Sequence, residues 1–139
     1  MGTTTSNLGL YKPNPGENGW GTLVNANFDI IDALASVVEA STQSGTSYTL
    51  ALVDAGTVVE TTNGSPVTIT VPSNASVAFP INSVVGLFQY GTGQITVAAA
   101  GGVALVSSGS RLKTSAQYAA IWLRKRATNE WVVTGDTSS

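Results

Sequence analysis

The sequence predicts a mainly β protein: an N-terminal extended arm and a short amphipathic helix, followed by a small antiparallel β-sandwich or jelly-roll-like barrel. Three observations carry that expectation. Pro13, Pro15, Gly16, Gly19 and Gly21 crowd the segment before Thr22, and proline fixes φ, removes a donor and pushes its predecessor to extended backbone. Apolar residues then recur at helical spacing from Val24 to Val38. From Tyr48 onward the period changes to two, with turn residues at regular intervals. The domain boundaries that follow are an arm over 1–21, a helix over 22–40, a linker over 41–47 and a β-sandwich over 48–139.

The arm is more than a linker. Leu8, Leu10, Tyr11 and Trp20 are large apolar groups that a solvated connector does not need. Burial stabilises each by roughly 1.5–3 kcal/mol, and a segment this short has no core of its own. Leu8, Leu10, Tyr11, Pro13 and Trp20 are therefore the candidate anchoring residues, expected to be buried by a neighbouring subunit or another protein, the alternative being an arm folded back on its own domain. Met1–Ser6 reads as a polar tail.

The helix rests on an a/d seam formed by Val24, Phe28, Ile31, Ala35 and Val38. Ile30, Leu34 and Val37 add a second apolar row, while Asn25, Asp29, Asp32, Ser36 and Glu39 make a polar face. Thr22 is the candidate N-cap, and the helix is expected to end near Ala40, before a Ser/Thr/Gly run. Such a helix is marginal alone in water. Two apolar rows suit three chains around an axis or a helix docked on a sheet. The favoured reading is a trimeric bundle, with Val24, Phe28, Ile31, Ala35 and Val38 as its interface.

The β portion reads as about eight short strands. Tyr48, Leu50 and Leu52 alternate with smaller neighbours. Asn63-Gly64 is a tight-turn signal. Val67, Ile69 and Val71 alternate with Thr68 and Thr70, giving a buried face and a threonine face. Val84–Tyr90 and Gln94–Val97 read as a hairpin around Gly91-Thr92-Gly93. Tyr118–Arg124 is the most apolar strand, and Ala127-Thr128-Asn129 turns it back into Glu130–Thr134.

Composition excludes much chemistry. Of 139 residues, 42% are hydrophobic and 10% charged, against a usual charged share of about 25%. The net charge is −2 and there are no cysteines or histidines. Thiol catalysis, disulfides, His-based zinc sites and Ser–His triads are thereby ruled out. Arg124-Lys125-Arg126 is too short for a nucleic-acid footprint and reads as solvated charge at a hairpin end. No stretch approaches a transmembrane length and the N-terminus does not read as a signal peptide, so synthesis in a cytoplasm with no membrane or nucleic-acid partner is expected. Neither catalytic nor metal-binding residues are assigned, and no cofactor is expected. Gly91-Thr92-Gly93 lies between strands and not before a helix, so it is no phosphate loop. Among the aromatics, Trp122 reads as core. Trp131, just after a turn, has exposed and buried readings of equal weight and is the candidate ligand contact. The loops Thr61–Pro66 and Ser107–Ser110 accompany it.

The ordered residues Asn7-Leu8-Gly9-Leu10, Lys12-Pro13, Gly16, Trp20-Gly21 and Val24–Asp32 resemble the N-terminal segment of many tailed-bacteriophage virion proteins, a group that spans head fibres, capsid decoration proteins and tail fibres. Thr68–Pro72, Gly93–Val97 and Thr128–Trp131 are similar, less specifically, to a β module of such proteins. The resemblance implies a non-enzymatic virion component whose N-terminus attaches to the particle and whose chains trimerise. Its partners would be itself and the major capsid protein or another virion protein. The alternative it leaves open is a small tail fibre or tail-tip protein whose β domain binds a host surface glycan.

Overall fold

The computed structural model describes residues 3–4, 10–12, 18–35 and 38–139. The chain divides between Val38 and Glu39 into two compact units. In the first, β1 (Thr3–Thr4) pairs antiparallel with β2 (Tyr11–Lys12). The threonine tail is thus partly built into a ladder and the arm doubles back on itself. A helix, α1 (Trp20–Ala35), follows. Gly19 precedes it at φ 79°, and its carbonyl accepts the Thr22 N–H at 3.1 Å. Thr22 therefore sits in the first turn and is not the N-cap, because glycine takes the left-handed backbone at the helix entry without strain.

The helix is shorter than its apolar period suggests. Val38 and Glu39 are non-helical, and β3 (Ala40–Gln43) begins at Ala40. The cause is a competing ladder. The Glu39 carbonyl already accepts the Val58 N–H at 2.9 Å, and Ala40–Gln43 pairs in parallel with β5 (Val58–Thr61). Sheet hydrogen bonds override the helical pattern at this end, because a helix of this length is marginal by propensity alone. The expected linker 41–47 is accordingly not a linker. It holds β3 and the start of β4 (Ser47–Thr49), so the β module begins at Glu39 and not at Tyr48.

The second unit is a small β-sandwich, as expected, but half of it is wound in parallel. The remaining strands are β6 (Val67–Val71), β7 (Val84–Gln89), β8 (Ile95–Ala99), β9 (Ala104–Ser107), β10 (Lys113–Thr114), β11 (Ala120–Ala127), β12 (Glu130–Gly135) and β13 (Thr137–Ser138). One sheet runs β3-β5-β7-β11-β12-β9 and the other β13-β10-β8-β6-β4. From β3 to β8 the chain alternates between the sheets, so β3, β5 and β7 lie parallel in one and β4, β6 and β8 parallel in the other. This is a flattened coil of three turns. The antiparallel hairpin β11–β12 then lies against β7, with β9 parallel to β12 at the far edge.

The turn signals were placed correctly and join the strands expected, but those strands do not pair with each other. Asn63-Gly64 links β5 to β6, and Gly91-Thr92-Gly93 links β7 to β8; both cross between sheets and neither closes a hairpin. The two turns stack. Gly93 N donates to the Asn63 carbonyl, and a Cβ at Gly93 would stand 1.9 Å from the Ser65 carbonyl oxygen. Glycine is required there by space.

One core fills the gap between the sheets. Val59, Val85, Leu87, Ile121, Leu123 and Val133 face Val67, Ile69, Val71, Ile95 and Val97, all buried. The predicted alternation of β6 holds, with Thr68 exposed and Thr70 half-buried on the outer side. Phe79, in the loop after β6, meets Trp131 edge-to-face at 5.2 Å, a favoured aromatic geometry.

Candidate functional site

Exposed large apolar side chains occur on α1, on the outer face of the six-stranded sheet, and in the loops at Leu52, Val53, Ile81 and the Tyr90–Tyr118 pair; the first two surfaces bear on the expected sites. The first is on α1. Phe28 is 62% exposed and Ile31 44%, with Ile30 also exposed and Val24 half-buried. Val24, Phe28 and Ile31 are seam residues named from spacing, and Ile30 belongs to the second apolar row. Val38, expected to continue the seam, is exposed but lies beyond the helix. Of the anchoring residues, Leu10 is half-buried. Leu8 and Pro13 lie outside the described residues, as do the side chains of Tyr11, Trp20 and Ala35.

The second surface is the outer face of the six-stranded sheet, and here the sequence reading needs correcting twice. Trp131 is 1% exposed and packed on Phe79, so it is a core residue and no ligand contact. Trp122 is 42% exposed. Along β11 the inward residues are Ile121, Leu123 and Lys125, and the outward ones Trp122, Arg124 and Arg126. Both phases of this strand contain apolar groups, which is why sequence alone misassigned its tryptophan. The signal was Arg124, which shares a face with Trp122 in any strand.

Trp122 has a prepared seat. It stands opposite Gly86 on β7 and Thr134 on β12. A Cβ at Gly86 would meet the benzo ring of Trp122 at 2.7 Å and a Val58 methyl at 3.0 Å. The indole thus occupies the space glycine leaves open. Phe88, Val84 and Val132 surround it, half-buried on the same face, and Val106 is exposed on β9. The Arg124 guanidinium donates to Asn82 Oδ1 at 3.0 Å. Arg126 is ion-paired with Glu130.

Lys125 departs from expectation as well. It is not solvated with its neighbours but 1% exposed, donating to Asn74 Oδ1 and to the Phe79 carbonyl at 2.7 Å. It fastens the loop over residues 72–83 to β11. Asp54 is equally buried, accepting from the Ala51 N–H at 2.7 Å and the Tyr48 hydroxyl at 3.0 Å. Burial first, then the hydrogen bond to Asp54 and its charge, push the Tyr48 hydroxyl above its ordinary pKa. Both arrangements are structural locks.

The predicted loops differ in character. Thr61–Pro66 is tied internally by Ser65 N–H to Asn63 Oδ1 and outward by Asn63 Nδ2 to the Ser44 carbonyl. Ser108–Ser110 is exposed, with Gly109 and Ser110 in left-handed backbone. Among the described residues no cluster of three acidic side chains is placed to hold a metal ion. No family model, curated protein or solved structure matches this chain.

Proposed function

We propose that this chain is a structural component of a bacteriophage particle, a trimeric capsid decoration (cement) or head-fibre protein attached through its N-terminal arm. The observation that carries the reading is the open seam of α1. Phe28 and Ile31 present their side chains to solvent at coiled-coil spacing in a single chain, and burial would stabilise each by roughly 1.5–3 kcal/mol. Three helices around an axis cover such a seam. Trimerisation then brings three arms to the particle together, so attachment gains from multivalency. The ordered resemblance over Asn7–Asp32 supplies the particle. A closely packed β module with internally tied turns supports a role as a displayed, non-enzymatic body, made in the host cytoplasm and carried in the virion.

Particles produced without this protein are expected to assemble and to lose heat resistance. Deleting residues 8–20 is expected to abolish particle binding. Unchanged binding after that deletion would overturn the anchoring role.

The second reading is a small tail fibre or tail-tip protein whose β domain binds a host surface glycan. The exposed Trp122 on its glycine seat favours it. Copy number separates the two: hundreds per particle for a decoration protein, a handful to a few tens for a tail component.

A further inference from the structure

We propose that Trp122 and Arg124 form a binding site for an acidic saccharide, a uronate-bearing glycan, on the outer face of the six-stranded sheet. The inference rests on the glycan-binding reading of the β module and names its site and ligand class. Trp122 is a shelf. Its ring is seated over Gly86 and against Val58, while much of the side chain stays open to solvent. An immobilised aromatic with an apolar body loses little entropy on stacking against the C–H face of a sugar ring.

Charge selects the kind of sugar. Arg124 follows Trp122 on the same face of β11, about 7 Å away by the rise of a strand. Its guanidinium is oriented by the neutral Asn82 amide, and among the described residues the one salt bridge belongs to Arg126 and Glu130. Arg124 therefore has further N–H donors for a carboxylate, which a guanidinium takes in a planar, two-pronged geometry. Trp122 and Arg124 share this outer face, so an oligouronate can stack one sugar on the indole and offer a carboxylate to the guanidinium. Thr134, opposite Trp122, is exposed and supplies a hydroxyl. Of the acidic groups, Glu60 shares the outer face beside Phe88, two residues from Val58, Asp136 is exposed two residues past Thr134, and Glu130 is held by Arg126.

The test is calorimetric titration of the purified full chain with oligogalacturonate, oligoglucuronate and oligomannuronate, each beside its uncharged methyl ester. At least one acid should bind saturably, its ester about tenfold or more weaker. Arg124→Gln should weaken the acid about tenfold and leave the ester unchanged. Trp122→Ala should weaken both, with circular dichroism and melting confirming its fold, and Trp122→Phe should restore part of the affinity. No saturable binding by any acid overturns the proposal, as does equal binding of acid and ester, or wild-type affinity in Trp122→Ala. Altered self-association in Trp122→Ala without uronate binding also overturns it, assigning the face to a protein contact. None of these failures bears on trimerisation through α1 or attachment through the arm.

Discussion

Lys125 holds the loop after β6 in place. Its ammonium joins Asn74 Oδ1 and the Phe79 carbonyl inside the sandwich, and Phe79 in turn supports Trp131. Lys125→Met keeps most of the apolar stem and removes the donor. Leaving buried acceptors unpaired is expected to lower stability by about 1–3 kcal/mol, read as a fall in urea midpoint at constant m-value. Trp131→Ala should lower it more, by about 3–5 kcal/mol, since it empties a large core volume; a loss under about 1 kcal/mol would contradict its placement. Tyr48 adds a pH dependence. Its folded pKa is raised, by burial first and then by Asp54, so the folded state favours the protonated hydroxyl. That stabilisation is fully present below the unfolded value of about 10 and is lost as pH rises through the higher folded value. Tyr48→Phe should therefore be less stable than wild type at neutral pH, and the gap should close in alkaline solution. Urea titrations from neutral pH to about pH 11 would check it; a gap that widens with pH would contradict the assignment. At this scale the sequence was least legible. Trp122 and Trp131 exchanged roles because their strands are apolar in both phases, and Lys125 looked solvated because two arginines flank it. Which way such a strand faces is set by its neighbours across the sheets, and Arg124, on the same face as Trp122, was the one local hint.

The strands themselves were largely readable, and their partners were not. Val67, Ile69 and Val71 announce a half-buried strand by period alone, and the β11–β12 hairpin follows from its turn. Asn63-Gly64 and Gly91-Thr92-Gly93 announce turns equally well, yet each carries the chain from one sheet to the other. A turn signal specifies local backbone, while the choice between hairpin and crossover depends on which ladder buries the flanking apolar residues. The stacked turns give a direct check. Gly93→Ala would drive a Cβ into the Ser65 carbonyl, and overpacking of this kind is expected to destabilise by about 1–3 kcal/mol. Gly101→Ala, with open space around it, should be neutral or stabilising by about 0.4–1 kcal/mol. Equal melting temperatures for the two variants would contradict the stacking. The helix shows the opposite limit of legibility. Val24, Phe28 and Ile31 of its expected seam lie on α1, while Val38 lies beyond it, where Ala40–Gln43 gains a full parallel ladder with Val58–Thr61.

At the scale of the molecule, the two units use apolar residues differently. The β module encloses most of its own in a single core between two sheets and leaves others, Trp122 and Tyr118 among them, exposed. The helix leaves Phe28 and Ile31 in water, which a stable protein does with a contiguous seam when another chain covers it. The β-sandwich was legible from period and turn spacing, whereas the parallel coil was not, because parallel partners are separated by whole crossovers. In the proposed function the seam is what acts: trimerisation through it would display three β modules and bring three arms to one attachment surface. Sedimentation equilibrium on the purified chain, beside Phe28→Glu/Ile31→Glu, tests that most directly. The account predicts a wild-type mass about three times the 14.2 kDa of one chain and a monomeric double variant whose β module melts as before. A monomeric wild type, or a trimer that survives both glutamates, would contradict it.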